Sequence, residues 1–113
     1  MDCLFCKIAQ HQIPAKIVYE DDDILAFHDI APQAPTHLLL IPKIHIATLN
    51  DAHAEHQALF GRMILKAREL ALIEYGVEAG YRLVLNVNQQ GGQAVYHVHL
   101  HLLGGRQMTW PPG

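Results

Sequence analysis

Residues 97 to 102 read His-Val-His-Leu-His-Leu, an unbroken alternation of imidazole and aliphatic side chains. A period of two is the signature of a β-strand, whose successive side chains point to opposite faces. Val98, Leu100 and Leu102 therefore share an apolar face able to pack beneath a helix, while His97, His99 and His101 share the other. Three imidazoles in an apolar core would leave several polar nitrogens unpartnered, so this face is expected to look into a cleft. At a rise of about 3.3 Å per residue, neighbouring histidines lie about 6.6 Å apart and the outer pair about 13 Å. Two neighbours could share a metal ion, but three on a regular strand could not. A neutral imidazole near pH 7 is a competent nucleophile and proton carrier. The pattern thus suits chemistry in which one histidine attacks and another binds or protonates, and it equally suits a structural or metal-holding role.

Alternation and turn signals divide the rest of the chain. Lys16 to Glu20 and Ile24 to His28 read as two strands joined by the acidic turn Glu20-Asp21-Asp22-Asp23. After a proline-containing loop, His37 to Pro42 reads as a third strand ended by its proline. From about Asp51 to Tyr75 the period becomes helical, with Phe60, Met63, Ile64, Ala67 and Ala71 on one stripe, Asn50 or Asp51 as N-cap and Gly76 as the stop. Tyr81 to Val87 and Val95 to Leu103 supply two further strands around a polar, glycine-containing loop. Five strands, one long helix and short early connections predict an α+β antiparallel meander and exclude a wound parallel sheet.

With 113 residues the chain is sized for a single domain, 1–113. A net charge of −3 with 17% charged residues gives no basic surface for nucleic acid. No apolar stretch approaches the roughly 20 residues that span a bilayer, and no basic segment followed by a long apolar one opens the chain. A soluble, cytoplasmic protein with no membrane partner is expected. Of the nine histidines, His11, His28, His53 and His56 lie apart in polar or helical segments and read as surface or cap positions.

The run His97-Val98-His99-Leu100-His101-Leu102-Leu103 resembles the signature of the histidine triad family of nucleotide hydrolases and transferases. The segments "AFHDIAPQAPTHLLLIPKIH" at 26–45 and "GGQAVYHVHLHLLGGRQM" at 91–108, with the ending "WPPG", resemble its Hint branch, the purine nucleoside phosphoramidases. The resemblance covers most of the chain. It implies a five-stranded antiparallel sheet with one long helix and a short N-terminal helix, dimerising into a continuous sheet, with the tail around Trp110 reaching toward the partner's site. It implies His99 as the nucleophile that attacks the α-phosphorus of an adenosine or other purine nucleoside 5′-phosphoramidate, forming a nucleotidyl-histidine intermediate that water hydrolyses. His101 would bind the phosphate oxygens and the departing group, and His37 would fix the orientation or tautomer of His99. Asp29 would bind the ribose hydroxyls, and Phe5, Ile8, Phe27, His28 and Ile30 would surround the purine. Asn86 and Gly92, Gln93, Ala94 and Val95 would bind phosphate through side-chain and backbone donors. Some members carry serine where this chain has Ala94, so any hydroxyl assistance there must come from another group. No magnesium requirement is expected.

Cys3 and Cys6 form a C-x-x-C pair compatible by itself with redox chemistry, a metal, or two small buried residues. Thioredoxin-like use would need a βαβ context that the N-terminus lacks. The resemblance implies structural zinc held by Cys3, Cys6, His45 and His97, a closed set of two thiolates and two imidazoles. The alternatives are a dinucleoside polyphosphate hydrolase, as in the fragile-histidine-triad branch, and a nucleotide-binding scaffold without essential turnover.

Overall fold

The computed structural model describes residues 2–113. A short helix α1 (Leu4–Ala9) is followed by strands β1 (Ile17–Glu20), β2 (Ile24–His28) and β3 (Thr36–Pro42), helix α2 (Gln57–Glu69), and strands β4 (Tyr81–Val84) and β5 (Leu100–Gly104). All neighbouring strands are antiparallel, in the order β1-β2-β3-β5-β4. The first three strands form the expected meander, and the last strand then enters between β3 and β4.

The acidic turn holds itself together: Asp21 Oδ1 accepts from the amides of Asp23 and Ile24, each at 2.8 Å. The long helix starts later than its periodicity implied. Two 3-10 turns, Leu49–Asp51 and Ala54–His56, precede Gln57, and Thr48 with Asp51 forms the capping box of the first. Beyond Glu69 the helix widens into a π-helical turn, Leu70–Glu74, and Gly76, at φ +60°, ends it. Its buried stripe is Leu59, Met63, Ala67, Leu70 and Ala71, whereas Ile64, assigned to that stripe from spacing, is half exposed one step around the helix.

The two sheet faces are covered unequally. Ile24, Ala26, Leu38, Leu40, Leu100 and Leu102 pack with the α2 stripe in the larger core. Removing Met63, the centre of that stripe and 1% exposed, as Met63→Ala would cost about 2–5 kcal/mol. On the opposite face Leu25, Phe27, Leu39 and Ile41 pack with Cys3, Phe5, Ile8 and Ala9 of the six-residue α1 region. A helix of that length covers only part of the sheet, and the histidines occupy this face beside it.

The last strand is shorter than its alternation implied, because the β3–β5 ladder stops at Leu40↔Leu100. Two register steps further lies Pro42, which has no N–H to contribute. The chain instead bonds sideways, Val98 N–H donating to Ile46 O at 2.7 Å. His97 and His99 therefore precede the ladder and His101 lies within it.

Candidate active site

The triad segment is more enclosed than an open cleft would make it. His97 is fully buried, His99 is 6% exposed, and His101 is half-buried. Burial is tolerated because the ring nitrogens find partners, and these partners decide which nitrogen carries the proton. His99 Nδ1–H donates to His97 O at 2.8 Å, so its Nε2 holds the free lone pair. His97 Nε2–H donates to the carbonyl of Pro42 at 2.7 Å, which leaves its Nδ1 as the lone-pair nitrogen. The proline that ends β3 thus supplies the acceptor that orients the first histidine.

A second chain of hydrogen bonds runs beside it. The Gln33 amide donates to His37 Nδ1 at 3.0 Å. His37 must therefore carry its proton on Nε2, which lies 2.9 Å from His101 Nδ1 and 3.4 Å from Asp29 Oδ2. With Nδ1 accepting from His37, His101 presents Nε2–H as a donor. His37 was expected to orient His99, but it orients His101, whose ring centroid lies 4.9 Å from that of His99. Burial, with His99 and His37 alongside, pushes the His101 pKa down to about 4, partly offset by Asp29. Burial lowers His37 as well, against the opposing pull of Asp29. The pair stays neutral through the physiological range, a donor beside the free Nε2 lone pair of His99. Asp29, His37 and His101 also lie close enough to share a metal ion. That use would need a lone pair on His37 Nε2 and a proton on Nδ1, set against the Gln33 N–H, so the geometry favours the hydrogen-bonded relay.

A cavity of about 700 Å³ opens next to the relay, lined by Ile8, Phe27, His28, Asp29, Ile30 and His37, with Pro14, Ala15, Lys16, Pro32 and Pro35 completing it. Five of the expected nucleotide-binding residues, Ile8, Phe27, His28, Asp29 and Ile30, meet here. Ile30 is 99% exposed at the rim, an aliphatic surface open to a flat apolar ligand. Asp29 Oδ1 accepts from Ala31 N at 2.8 Å, leaving Oδ2 toward His37. Phe5 packs in one cluster with the cavity residues Ile8 and Phe27. It lies behind Phe27, buried against the histidines.

The segment 86–95 approaches this region through Val95, which packs against the cluster of Phe5, Ile8 and Phe27. Gln93 is committed internally: its Oε1 accepts from Asn88 N at 2.9 Å, and its Nε2 donates to Ala47 O at 2.8 Å and Val95 O at 3.1 Å. The Gln93 and Gly92 amides donate to Asn88 O and Gln89 O. Gln93 thus clamps the loop, and the expected backbone donors that remain are those of Ala94 and Val95. Gly92 sits at φ +79°, and Gly91 lies so close to Val87 that an added Cβ would meet its carbonyl oxygen at 2.4 Å. Asn86 is half-buried where β4 runs into this loop.

Cys3, Cys6, His45 and His97 converge at the start of the triad segment, one ligand atom from each lying within 4.8 Å of the others. His97 Nδ1 is 3.4 Å from Cys3 Sγ and 3.5 Å from Cys6 Sγ, and His45 Nδ1 is 3.3 Å from Cys6 Sγ. Tetrahedral zinc, with Zn–S near 2.3 Å and Zn–N near 2.0 Å, places neighbouring N and S ligands roughly 3.5 Å apart. The donor set fits that ion in type, number and spacing. Cys3 also caps α1, its sulfur accepting from Cys6 N, so the cluster and the helix start are one structure.

Two participants carried no readable sequence signal. The Gln33 contribution is a backbone amide. Tyr75, at the end of the π-helical turn, donates its hydroxyl to His28 Nε2 at 3.3 Å across 47 residues. No helix among the described residues is long and apolar enough to cross a membrane.

A family model for the HIT domain matches residues 10–108. The purine nucleoside phosphoramidase of Escherichia coli K12 is 54% identical over 107 residues, covering 95% of this chain and 90% of that protein. An HIT-like protein of Synechococcus elongatus is 57% identical over 112 residues, 99% of this chain and 97% of its own. The crystal structure of an HIT family hydrolase from Legionella pneumophila superposes with a TM-score of 0.96 at 64% identity, covering 99% of this chain and all of that one. A histidine triad protein from Clostridium difficile gives 0.92 at 40% identity, covering 96% and 95%. With the triad geometry, the adjoining cavity and these likenesses together, the chain belongs to the histidine triad family and is an enzyme of its hydrolase class.

Proposed function

We propose that the protein hydrolyses the phosphorus–nitrogen bond of purine nucleoside 5′-phosphoramidates. One observation carries the reading: the His97 carbonyl holds the proton on Nδ1 of His99 and leaves Nε2 free as nucleophile, beside a neutral N–H donor on His101. The lone pair of His99 Nε2 attacks the α-phosphorus, the phosphorus–nitrogen bond breaks, and its electron pair leaves with the amine, which takes a proton from water. A second water then attacks phosphorus, giving its proton to the hydroxide left by the first, and the bond to Nε2 breaks and returns the lone pair to His99. Through both steps His101 Nε2–H donates to a phosphate oxygen and stabilises the charge that develops there. The purine occupies the cavity between Phe27, Ile8 and Ile30, with Asp29 at the ribose and the Ala94–Val95 backbone at the phosphate. The phosphoramidase named in Escherichia coli supports the substrate class.

The test is a side-by-side assay of adenosine 5′-phosphoramidate and a diadenosine polyphosphate, with His99→Ala as control. Cleavage of the phosphoramidate, a nucleotidylated protein trapped by acid quench, and loss of both in the variant are expected. Cleavage of the polyphosphate alone would overturn the assignment. Turnover is expected without added magnesium.

Zinc at Cys3, Cys6, His45 and His97 belongs to the same proposal. When bound it supplies a structural cross-link between α1 and the catalytic segment, and the thiolates it needs suit the reducing cytoplasm. Metal analysis of protein purified without chelator should give about one zinc per chain; a value near zero with both thiols titratable would refute it. A homodimer is supported by the exposed helix face that carries Leu65 and Leu72 together with Gly61, where an added Cβ would touch nothing, and by the β4 edge of the sheet.

A further inference from the structure

We infer that Tyr75 is a positioning residue for His28 and, through it, for the bound purine nucleotide; the inference rests on the assignment of the cavity beside Asp29 as the nucleotide site. The Tyr75 hydroxyl lies 3.3 Å from His28 Nε2. The two rings meet edge to face, with centroids 5.9 Å apart and planes at 80°. Among the described residues this is the one hydrogen bond that holds the His28 ring. It comes from the helix side of the sheet. Side chains alternate along β2, so His28 follows Ile24 and Ala26, which pack into the larger core with Tyr75, while Leu25 and Phe27 face α1. His28 is also the last residue of the strand, where it lines the cavity and leads directly into Asp29.

Tyr75 reaches His28 because the helix widens before it. The Tyr75 amide donates to Leu70 O at 3.1 Å, five residues back, where a continuous α-helix would use Ala71. The extra residue turns Tyr75 by roughly 100° about the helix axis. Burial, with Glu74 alongside, pushes the Tyr75 hydroxyl above its usual pKa range, so the phenol keeps its proton and donates it. With Nε2 accepting, the proton of neutral His28 resides on Nδ1. Edge-to-face packing is directional, and together with the hydrogen bond it sets both the tautomer and the plane of the ring. Without the hydroxyl the ring samples both tautomers, and the cost of fixing it falls on ligand binding. His28 adjoins the residues at the purine and ribose, not those at phosphorus, so the penalty is the same in the ground state and the transition state.

Tyr75→Phe keeps the ring and removes only the hydroxyl. It should raise KM for adenosine 5′-phosphoramidate, and the Kd for adenosine monophosphate by calorimetry, roughly 3- to 10-fold, the range of one hydrogen bond, with kcat within about twofold. Nitrogen-15 NMR of the histidine rings gives a readout that general loosening would not move: His28 should show one Nδ1–H tautomer in the parent protein and averaged nitrogen shifts in Tyr75→Phe, with the His99 signals unchanged. In a His28→Ala background the same tyrosine substitution should alter Kd by less than about twofold, because the two residues act as one unit. An unchanged Kd in Tyr75→Phe, an unchanged His28 tautomer signature, or an equal loss in the His28→Ala background would overturn the proposal. Circular dichroism checks the fold, and His28→Gln replaces the alanine variant if that one does not fold. If the parent protein fails to cleave the phosphoramidate, the functional assignment falls, whereas the monophosphate Kd and the NMR comparison still decide the role of Tyr75. A parent protein that does not bind the monophosphate would overturn both.

Discussion

The carbonyl of His97 and the amide of Gln33 carry no side-chain chemistry, yet they set the protonation pattern of the site. The carbonyl leaves the Nε2 lone pair of His99 free, and the amide, through His37, makes His101 a donor at Nε2. Neutrality of the relay has a thermodynamic counterpart. The His101 pKa is about 4 in the folded protein, against an ordinary value of 6.5, and His37 is shifted in the same direction. Above pH 6.5 both states are neutral and the stability associated with these rings is fully present. As pH falls from 6.5 toward 4 the unfolded chain takes up protons that the folded one refuses, so stability falls. Urea unfolding between pH 8 and 4 should show this decline, and His101→Asn should flatten it. An unchanged slope in the variant would remove His101 as its source.

At the scale of elements, the loop between β4 and β5 shows how packing places donors. Gly91 and Gly92 differ in what they require. Gly92 needs a left-handed backbone with open space around it, while Gly91 needs the absence of a Cβ against the Val87 carbonyl. Gly91→Ala should therefore destabilise the protein by about 1–3 kcal/mol and depress turnover, since the loop leads into Ala94 and Val95. Gly92→Ala should cost about 1 kcal/mol. Urea melts of both variants check the order, and a Gly91→Ala protein no less stable than Gly92→Ala would contradict it. This loop also marks where the sequence stopped being legible. Alternation and turn chemistry revealed each strand and the long helix, because those signals are local. The triad and its flanking segments pointed to the family, and the cavity residues from Phe27 to Ile30 were found together as expected. The late start of β5 was hidden, since it depends on Pro42 arriving opposite it from 56 residues earlier. Tyr75 and Gln33 act through contacts that no spacing encodes.

At the scale of the molecule, the unequal covering of the sheet gives one face to the long helix and divides the other between a short helix and the chemistry. The face bearing Gly61, Leu65 and Leu72 is exposed. Sedimentation is expected to show a dimer, and Gly61→Glu, which places a carboxylate on that face, to shift it to monomer. A parent protein that sediments as a monomer would remove the dimer from the proposal. The proline at the end of β3 carries a longer-range implication. It divides the chain around the triad into a part locked to the sheet, from Leu100 onward, and a part tethered by the bonds His97 makes to Pro42 and Val98 makes to Ile46. Insertions and substitutions upstream of His97 can then be absorbed without shifting the register of any strand. Such a boundary uncouples the loop that precedes the triad from the geometry of the sheet behind it.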